Sequence, residues 1–425
     1  MQVSEFRAQT IELWQQSSCA FPQFERRYTK EEQVAREALL DEYTQRIERE
    51  FGANQQTKRI DNRRVLAGIT AAVIELAACA LDLTDPYVES LLRDGFSQVG
   101  VDFARWAREL DPRISLIDIL QGCRNAWVAC GLQVLLGREM RLTPAIFAYS
   151  MLYPYSDNYL DDARVSREAK LRFSARFRRR LRGEQPRTES AREEMICQLV
   201  GLIEGEYARA RYPEVYESLL AIHHAQQESI AQMKANGDFD VLALTVTKGG
   251  TSVLADAYLA RGTLTEVEAR FAFAWGVVLQ LGDDLQDLLN DRRRGSLTLF
   301  SEACQGGRLD EVTNRTFHFG QQVMEWMAGL PHGSDVLREL LARSARALLI
   351  RSAASVPELY SEGYLAELEK YSPFGFAFLR ERERQFAKRS RGYARWVELL
   401  IGNMAREGKS GAAGFAIESG GVVTM

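Results

Sequence analysis

The sequence predicts an all-α protein, and three observations carry that expectation. Apolar residues recur at helical spacing from about residue 30 to residue 402, with no comparable run of alternating β-branched residues. Pro- and Gly-containing pairs interrupt this periodicity at intervals, leaving segments of roughly 20 to 35 residues, long enough for multi-turn helices that bury their apolar faces on one another. Proline, the residue that most penalises helix interiors, supplies only 10 of 425 residues, about half its usual share of about 5%.

The elements follow in chain order. Residues 1–60 read as an N-terminal helical extension, residues 61–403 as a helical bundle and residues 404–425 as a tail. The breaks fall at Asp85-Pro86, Asp111-Pro112, Thr143-Pro144, Gln185-Pro186, Tyr212-Pro213, Gly249-Gly250, Gly306-Gly307 and Pro331 to Gly333. The stretch Val65 to Leu81 is strongly apolar, but Glu75 interrupts it and it falls short of the ~20 residues that span a bilayer, so it reads as a buried helix. Cys123 and Cys130 are seven apart, a helix-face repeat and not a zinc pair. With Cys19, Cys79, Cys197 and Cys304 scattered, buried reduced thiols are expected. Pro154 interrupts a helical ladder and is placed to kink it. The arginines Arg172, Arg176, Arg178, Arg179, Arg180 and Arg182 read as a solvated helix end and loop, and Arg380 to Arg391 as a salt-bridged surface helix. From Gly408 onward Gly, Ser and Ala mix without periodicity, and disorder is expected.

Composition narrows the function. Hydrophobic residues make up 46% and charged residues 26%, which excludes disorder for most of the chain. The net charge of −4 provides no global basic field for nucleic acid or an anionic membrane, so an anionic ligand needs a local site. Met1 to Gln16 lacks the basic, apolar, small-residue order of a signal peptide, and a cytoplasmic location is expected. With His223, His224, His318 and His332 as the only histidines, any bound metal must be held by carboxylates.

Two aspartate clusters are the candidates. In Asp157-Asn158-Tyr159-Leu160-Asp161-Asp162, Asp157 and Asp161 are i and i+4, so a helix holds two like charges about 5–6 Å apart between Cβ atoms. The same row runs back through Tyr153 and Tyr149. In the second, Asp283-Asp284 to Asp291, the acids Asp283, Asp287 and Asp291 form one stripe, with Asp284 beside them, and the row continues upstream through Gln280, Gly276 and Phe273 into an apolar helix. Either cluster alone reads equally well as a solvated acidic face. Both, however, sit in apolar and aromatic contexts, and both are followed by arginines: Arg164 and Arg167, then Arg292, Arg293 and Arg294. Paired acids with nearby guanidinium groups suit divalent cations and phosphate, because Mg²⁺ takes one or two carboxylates and fills its remaining positions with water and phosphate oxygens.

These residues resemble the class I isoprenoid synthases: the prenyl diphosphate synthases, the squalene and phytoene synthases and the class I terpene cyclases. Asp157-Asn158-x-x-Asp161 is similar to their first aspartate-rich motif, with Asn at its second position. Leu279-Gln280-x-x-Asp283-Asp284-x-x-Asp287 is similar to the second motif of the prenyl synthases. Lys248-Gly249-Gly250-Thr251, between the two, resembles the family's diphosphate-contacting Lys-Thr segment. No segment resembles the isopentenyl-diphosphate site of chain-elongating enzymes, for which Gly122-Cys123-Arg124-Asn125 is a poor substitute. Tyr159-Leu160-Asp161, together with Tyr371-Ser372-Pro373 and Leu379-Arg380, looks most like the squalene-synthase-like large terpene synthases.

The resemblance implies a helical bundle around a central cavity, with three Mg²⁺ ions bridging the two motifs to a prenyl diphosphate. The implied metal ligands are Asp157, Asp161, Asp162, Asp283, Asp284 and Asp287; of these Asp157, Asp161, Asp283 and Asp287 are the catalytic set. Lys248, Arg292, Arg293 and Arg294 would bind diphosphate, and Tyr149, Tyr153, Phe273 and Gln280 would line the cavity. The implied activity is Mg²⁺-dependent ionisation of a linear prenyl diphosphate, with cyclisation or proton loss and release of pyrophosphate, by an enzyme that is commonly a homodimer. A prenyltransferase joining two diphosphates and a helical binding protein without turnover are the alternatives.

Overall fold

In the computed structural model, which describes residues 3–55, 62–84, 86–162, 164–232 and 240–408, no strand occurs among the described residues and about 79% of the chain is helical. The chain opens with α1 (Val3–Gln16), α2 (Lys30–Gln55) and α3 (Asn62–Leu81). The helix α4 (Pro86–Ser90) runs through a π-helical turn at Leu91–Phe96 into α5 (Ser97–Leu110). Then follow α6 (Leu116–Leu135), α7 (Pro144–Asp161), α8 (Arg167–Leu181), α9 (Ala191–Glu206), α10 (Pro213–Gln232), α11 (Val241–Arg261) and α12 (Glu266–Gln286). The chain continues through α13 (Leu288–Arg294), α14 (Leu299–Gly306), α15 (Asp310–Ala328), α16 (Asp335–Ser355), α17 (Glu362–Glu369) and α18 (Phe376–Gly408).

Local chemistry explains most of these boundaries. Ser115, Thr143, Ser166, Ser190 and Ser334 each accept a backbone N–H of the first turn that follows them, and Thr265 with Glu268 forms a full capping box at the start of α12. The Pro-marked breaks all separate helices. Gly249-Gly250 does not: α11 runs straight through it. These glycines serve helix packing. A Cβ on Gly249 would stand 2.7 Å from the Gly276 carbonyl oxygen, one on Gly276 would press still closer on the Gly249 carbonyl, and one on Gly250 would enter the Phe273 ring. Backbone contact without side chains lets α11 and α12 cross closely at the centre of the molecule.

Around this central pair, α10, α6 and α7 pack on α11, and α15 and α16 on α12. The N-terminal segment is part of the same body. Phe6 and Trp14 of α1 are buried, Phe6 lies 6.2 Å from Phe273 between ring centroids, and Phe24 packs edge-on against both Phe317 and Tyr371 at 5.0 Å. The expected boundary at residues 60 and 61 lies outside the described residues; of the expected tail, 404–425, residues 404–408 are the last turn of α18 and the remainder lies outside the described residues. All six cysteines are free; Cys79, Cys123 and Cys130 are buried and the others half-buried. The α8 arginines are not simply solvated, as expected from the sequence. Arg176 makes two bonds to Glu193, at 2.9 and 2.7 Å, and the buried Arg180 reaches Glu204 at 2.8 Å, because α9 presents an acidic face to them. On α18, Arg382 pairs with Asp41 at 3.1 Å and Arg389 with Glu48, as a salt-bridged helix should. No helix among the described residues is long and apolar enough to cross a membrane.

Candidate active site

The two aspartate-bearing stretches meet at one cavity of about 1560 Å³. On α7 its lining residues are Tyr149, Leu152, Tyr153, Ser156, Asp157 and Asp161, a single helical face. Opposite them stand Lys248, Ser252 and Asp256 of α11 and Leu279, Gln280, Asp283 and Asp284 of α12. Both helices end their acidic faces at the same end of the cavity, and apolar side chains of α5, α6, α10 and α16 make up much of the remaining wall. Trp127, Leu120 and Val73 line that apolar part and also reach solvent.

The second cluster is not one continuous helix. Asp287 caps α12 with its backbone at φ −93°, ψ 4°, and α13 restarts at Leu288. Asp287 accepts the N–H of Asp291 at 2.9 Å, so the helical register nearly survives the break, and Asp287, Asp291 and Arg294 all still line the cavity. No Gly or Pro marks this break, which is why periodicity alone does not reveal it.

Three parts of the expected site lie elsewhere. Asp162 does not line the cavity. It is the extended C-cap residue beyond the end of α7, where Arg164 grips it at 2.9 and 2.8 Å and pulls its carboxyl down to about 2. Arg292 and Arg293 are exposed and lie off the cavity, Arg293 folding back onto Leu289 O at 3.1 Å and Asn290 Oδ1 at 2.8 Å. Helical rotation leaves Arg294, three residues after Asp291, as the arginine of this run on the cavity face. Phe273 is fully buried between α11 and α1 and fills the space above Gly250, so it is core packing.

Electrostatics single out the carboxyls at the acidic end. Burial raises Asp157 and Asp284 to about 7 and lifts Asp283 and Asp291 above the usual carboxylate range. Lys248 opposes the shift in all four, helped by Arg124 at Asp283 and Arg294 at Asp291, and burial still leaves every one of them raised. Each cluster holds its most buried acid with a glutamine amide. Gln226 of α10 donates to Asp157 Oδ1 at 2.7 Å, and Gln280 donates to Asp284 Oδ1 at 2.7 Å. Arg124 of α6 donates to Asp283 Oδ1 at 3.0 Å.

Among the described residues no three His, Cys, Asp or Glu side chains converge tightly enough to hold a metal ion alone. An ion bound here would therefore complete its ligand set with water or with oxygens of a bound anion, as Mg²⁺ readily does.

Arg124, Gln226 and Asp256 line the cavity without having been expected there, and so does His223, whose sequence context fits a structural histidine better than an acid–base group. Arg124 is 159 residues from Asp283, and no local pattern links them. His223 is buried, with its Nε2 beside the Ser174 carbonyl at 3.1 Å and its ring against Phe177, and burial lowers it to about 4. Asp256 did carry a signal: it is an acid inside the apolar run Val253 to Ala260, on the cavity face two turns from Lys248.

No protein-family model matches the chain, and no curated protein matches it.

Proposed function

We propose that this protein is a Mg²⁺-dependent class I terpene synthase that ionises a linear prenyl diphosphate inside the cavity and releases pyrophosphate. The observation that carries this reading is the meeting of two acid clusters, around Asp157 and Asp283, at one end of a cavity whose walls are otherwise largely apolar. The carboxyls at the acidic end fit divalent cations: Asp157 and Asp161 on one side, and Asp283, Asp284 and Asp287 on the other, would hold them. Bound Mg²⁺ would neutralise those carboxylates and the charge developing on the departing diphosphate.

The chain's own residues do the rest. Lys248, Arg124 and Arg294 surround the acids with cationic donors for the remaining phosphate oxygens. Arg124 is held by Asp283 in the meantime, and a diphosphate arriving with its own cations would compete for that guanidinium. The apolar wall excludes water from the cation left behind. Tyr149 and Tyr153 present aromatic faces along the same row of α7, of a kind that stabilises cations within about 6 Å. Both phenols are pushed far above their ordinary range by burial, so they stay neutral. A cavity of about 1560 Å³ accommodates a long hydrocarbon chain.

The test is incubation of the purified protein with Mg²⁺ and farnesyl, geranylgeranyl or longer diphosphates, with and without isopentenyl diphosphate. A hydrocarbon product and pyrophosphate without isopentenyl diphosphate are expected. Longer diphosphates formed only with it would replace this reading by the prenyltransferase one, and no pyrophosphate under any condition would leave a binding protein.

A further inference from the structure

About 12 Å along the α11 axis from Lys248, two helical turns away, the cavity wall carries an acid that the ionisation step does not use. Asp256 is 1% exposed and lines the cavity. Its Oδ1 accepts from Nδ2 of Asn125 at 2.9 Å, an amide that also reaches Ser150 Oγ at 3.1 Å. Its Oδ2 is buried with no hydrogen-bond partner. Burial drives this carboxyl well above the usual range, opposed only by the Asn125 bond. On the facing side Tyr149, two turns from Asp157 along α7, donates its hydroxyl to the Ser252 carbonyl at 3.2 Å and so has no hydrogen to offer Asp256. Most buried polar side-chain atoms have a hydrogen-bond partner, and one that has none calls for a reason. This carboxyl leaves an oxygen unused where a hydrocarbon chain anchored at Lys248 would extend.

We propose that Asp256 exchanges a proton with the hydrocarbon in the cavity, with Asn125 as its positioning residue. The proposal rests on the terpene synthase reading. Because the Asn125 amide donates to Oδ1, the carboxyl hydrogen belongs on Oδ2. In the step, the Oδ2–H bond breaks and its proton adds to one carbon of a C=C bond, whose π pair becomes the new C–H bond. The neighbouring carbon becomes cationic beside the new carboxylate. A C–H bond next to that centre then breaks: its electron pair forms a new C=C bond and its proton returns to Oδ2. The hydrocarbon leaves with its double bond moved and Asp256 is neutral again, so no oxidant, reductant or further co-reactant is needed. In this step Asp256 acts first as general acid and then as general base.

The experiment runs the wild-type protein in ²H₂O with Mg²⁺ and a prenyl diphosphate, reading pyrophosphate release and carbon-bound deuterium in the hydrocarbon product. Pyrophosphate together with deuterated product is expected. In Asp256→Asn the deuterated fraction should fall by about 10²-fold while pyrophosphate release persists. Asn125→Ala, which leaves Asp256 in place, should lower that fraction, and Asn125→Gln should recover part of it. Pyrophosphate release with an undeuterated wild-type product overturns the inference and leaves the terpene synthase reading standing. Equal deuterium in wild type and Asp256→Asn also overturns it. No pyrophosphate from wild type overturns both. An independent reading is the infrared C=O band of a neutral, buried carboxylic acid in the wild type, expected to be lost in Asp256→Asn; its persistence there would show that the band belongs to another residue and count against the neutral Asp256.

Discussion

The two aspartate clusters reach the same cavity by different local means, and the contrast shows what each can do. In the first, a single helix carries Asp157 and Asp161 to the cavity and then stops, so the third acid, Asp162, turns into a loop and is spent on Arg164. In the second, the helix breaks at Asp287 but restarts in register, so Asp283, Asp284, Asp287 and Asp291 all stay on the cavity. Among the described residues the first side has no guanidinium partner at the cavity, whereas the second has Arg124 and Arg294. What they share is a most-buried carboxyl held by a glutamine amide and facing Lys248. The acids on the two sides are thus unequal in number but electrically coupled through one ammonium.

The largest expected effect breaks that coupling. Lys248→Ala, and separately Asp157→Ala, should each lower the rate of Mg²⁺-dependent pyrophosphate release by about 10²–10³-fold, as loss of one preorganised electrostatic group does elsewhere. A rate within a few-fold of wild type for either would mean that the clusters do not act as one site. Next in size is a change that removes no charged group. Gly276→Ala places a methyl group against the Gly249 carbonyl and should destabilise the fold by about 3 kcal/mol, measured by denaturant unfolding, because both backbones must move apart.

Asp157 and Asp284 sharpen the comparison through pH. Both are raised to about 7 in the folded protein from the ordinary value of 3.8. The folded state therefore binds more protons than the unfolded state between those values. Their contribution to stability is fully present below about pH 4 and is lost as pH rises through about 7. Asp157→Asn and Asp284→Asn should each flatten this decline in a thermal-unfolding series. Mg²⁺ competes with the same protons, so its stabilising shift in melting temperature should be larger at pH 8 than at pH 6. The smallest effect is expected at Asp162. Asp162→Ala should leave both pyrophosphate release and the unfolding midpoint nearly unchanged, since it removes a solvent-screened pair away from the cavity. A large loss there would return Asp162 to the site.

How much of this was legible in the sequence differs by residue. The helices, and the Pro-marked ends of most of them, follow from periodicity and from proline's missing N–H. The i, i+4 spacing at Asp157 and Asp161 correctly placed two acids on one face, and the row back to Tyr153 and Tyr149 correctly extended it. The same row logic failed at Phe273, because a register states direction around a helix but not what the neighbouring helix presents. It failed at Gly249-Gly250 because glycine both ends helices and lets them touch. In sequence Arg292, Arg293 and Arg294 read as one group, although a helix can aim only part of such a run at one wall.

By itself the sequence determined that the chain is helical, where most helices stop, and which acids share a stripe, because backbone sterics, side-chain caps and a 3.6-residue period act over a few residues. Only the tertiary structure decided that residues around 157, 248 and 283 look into one hollow, that Arg124 closes on Asp283 across 159 positions, and that Asp256 keeps an oxygen free in its wall. Those outcomes depend on how α11 crosses α12 and on which faces α6, α7 and α10 then bury, and such long-range packing leaves no fixed spacing in the chain.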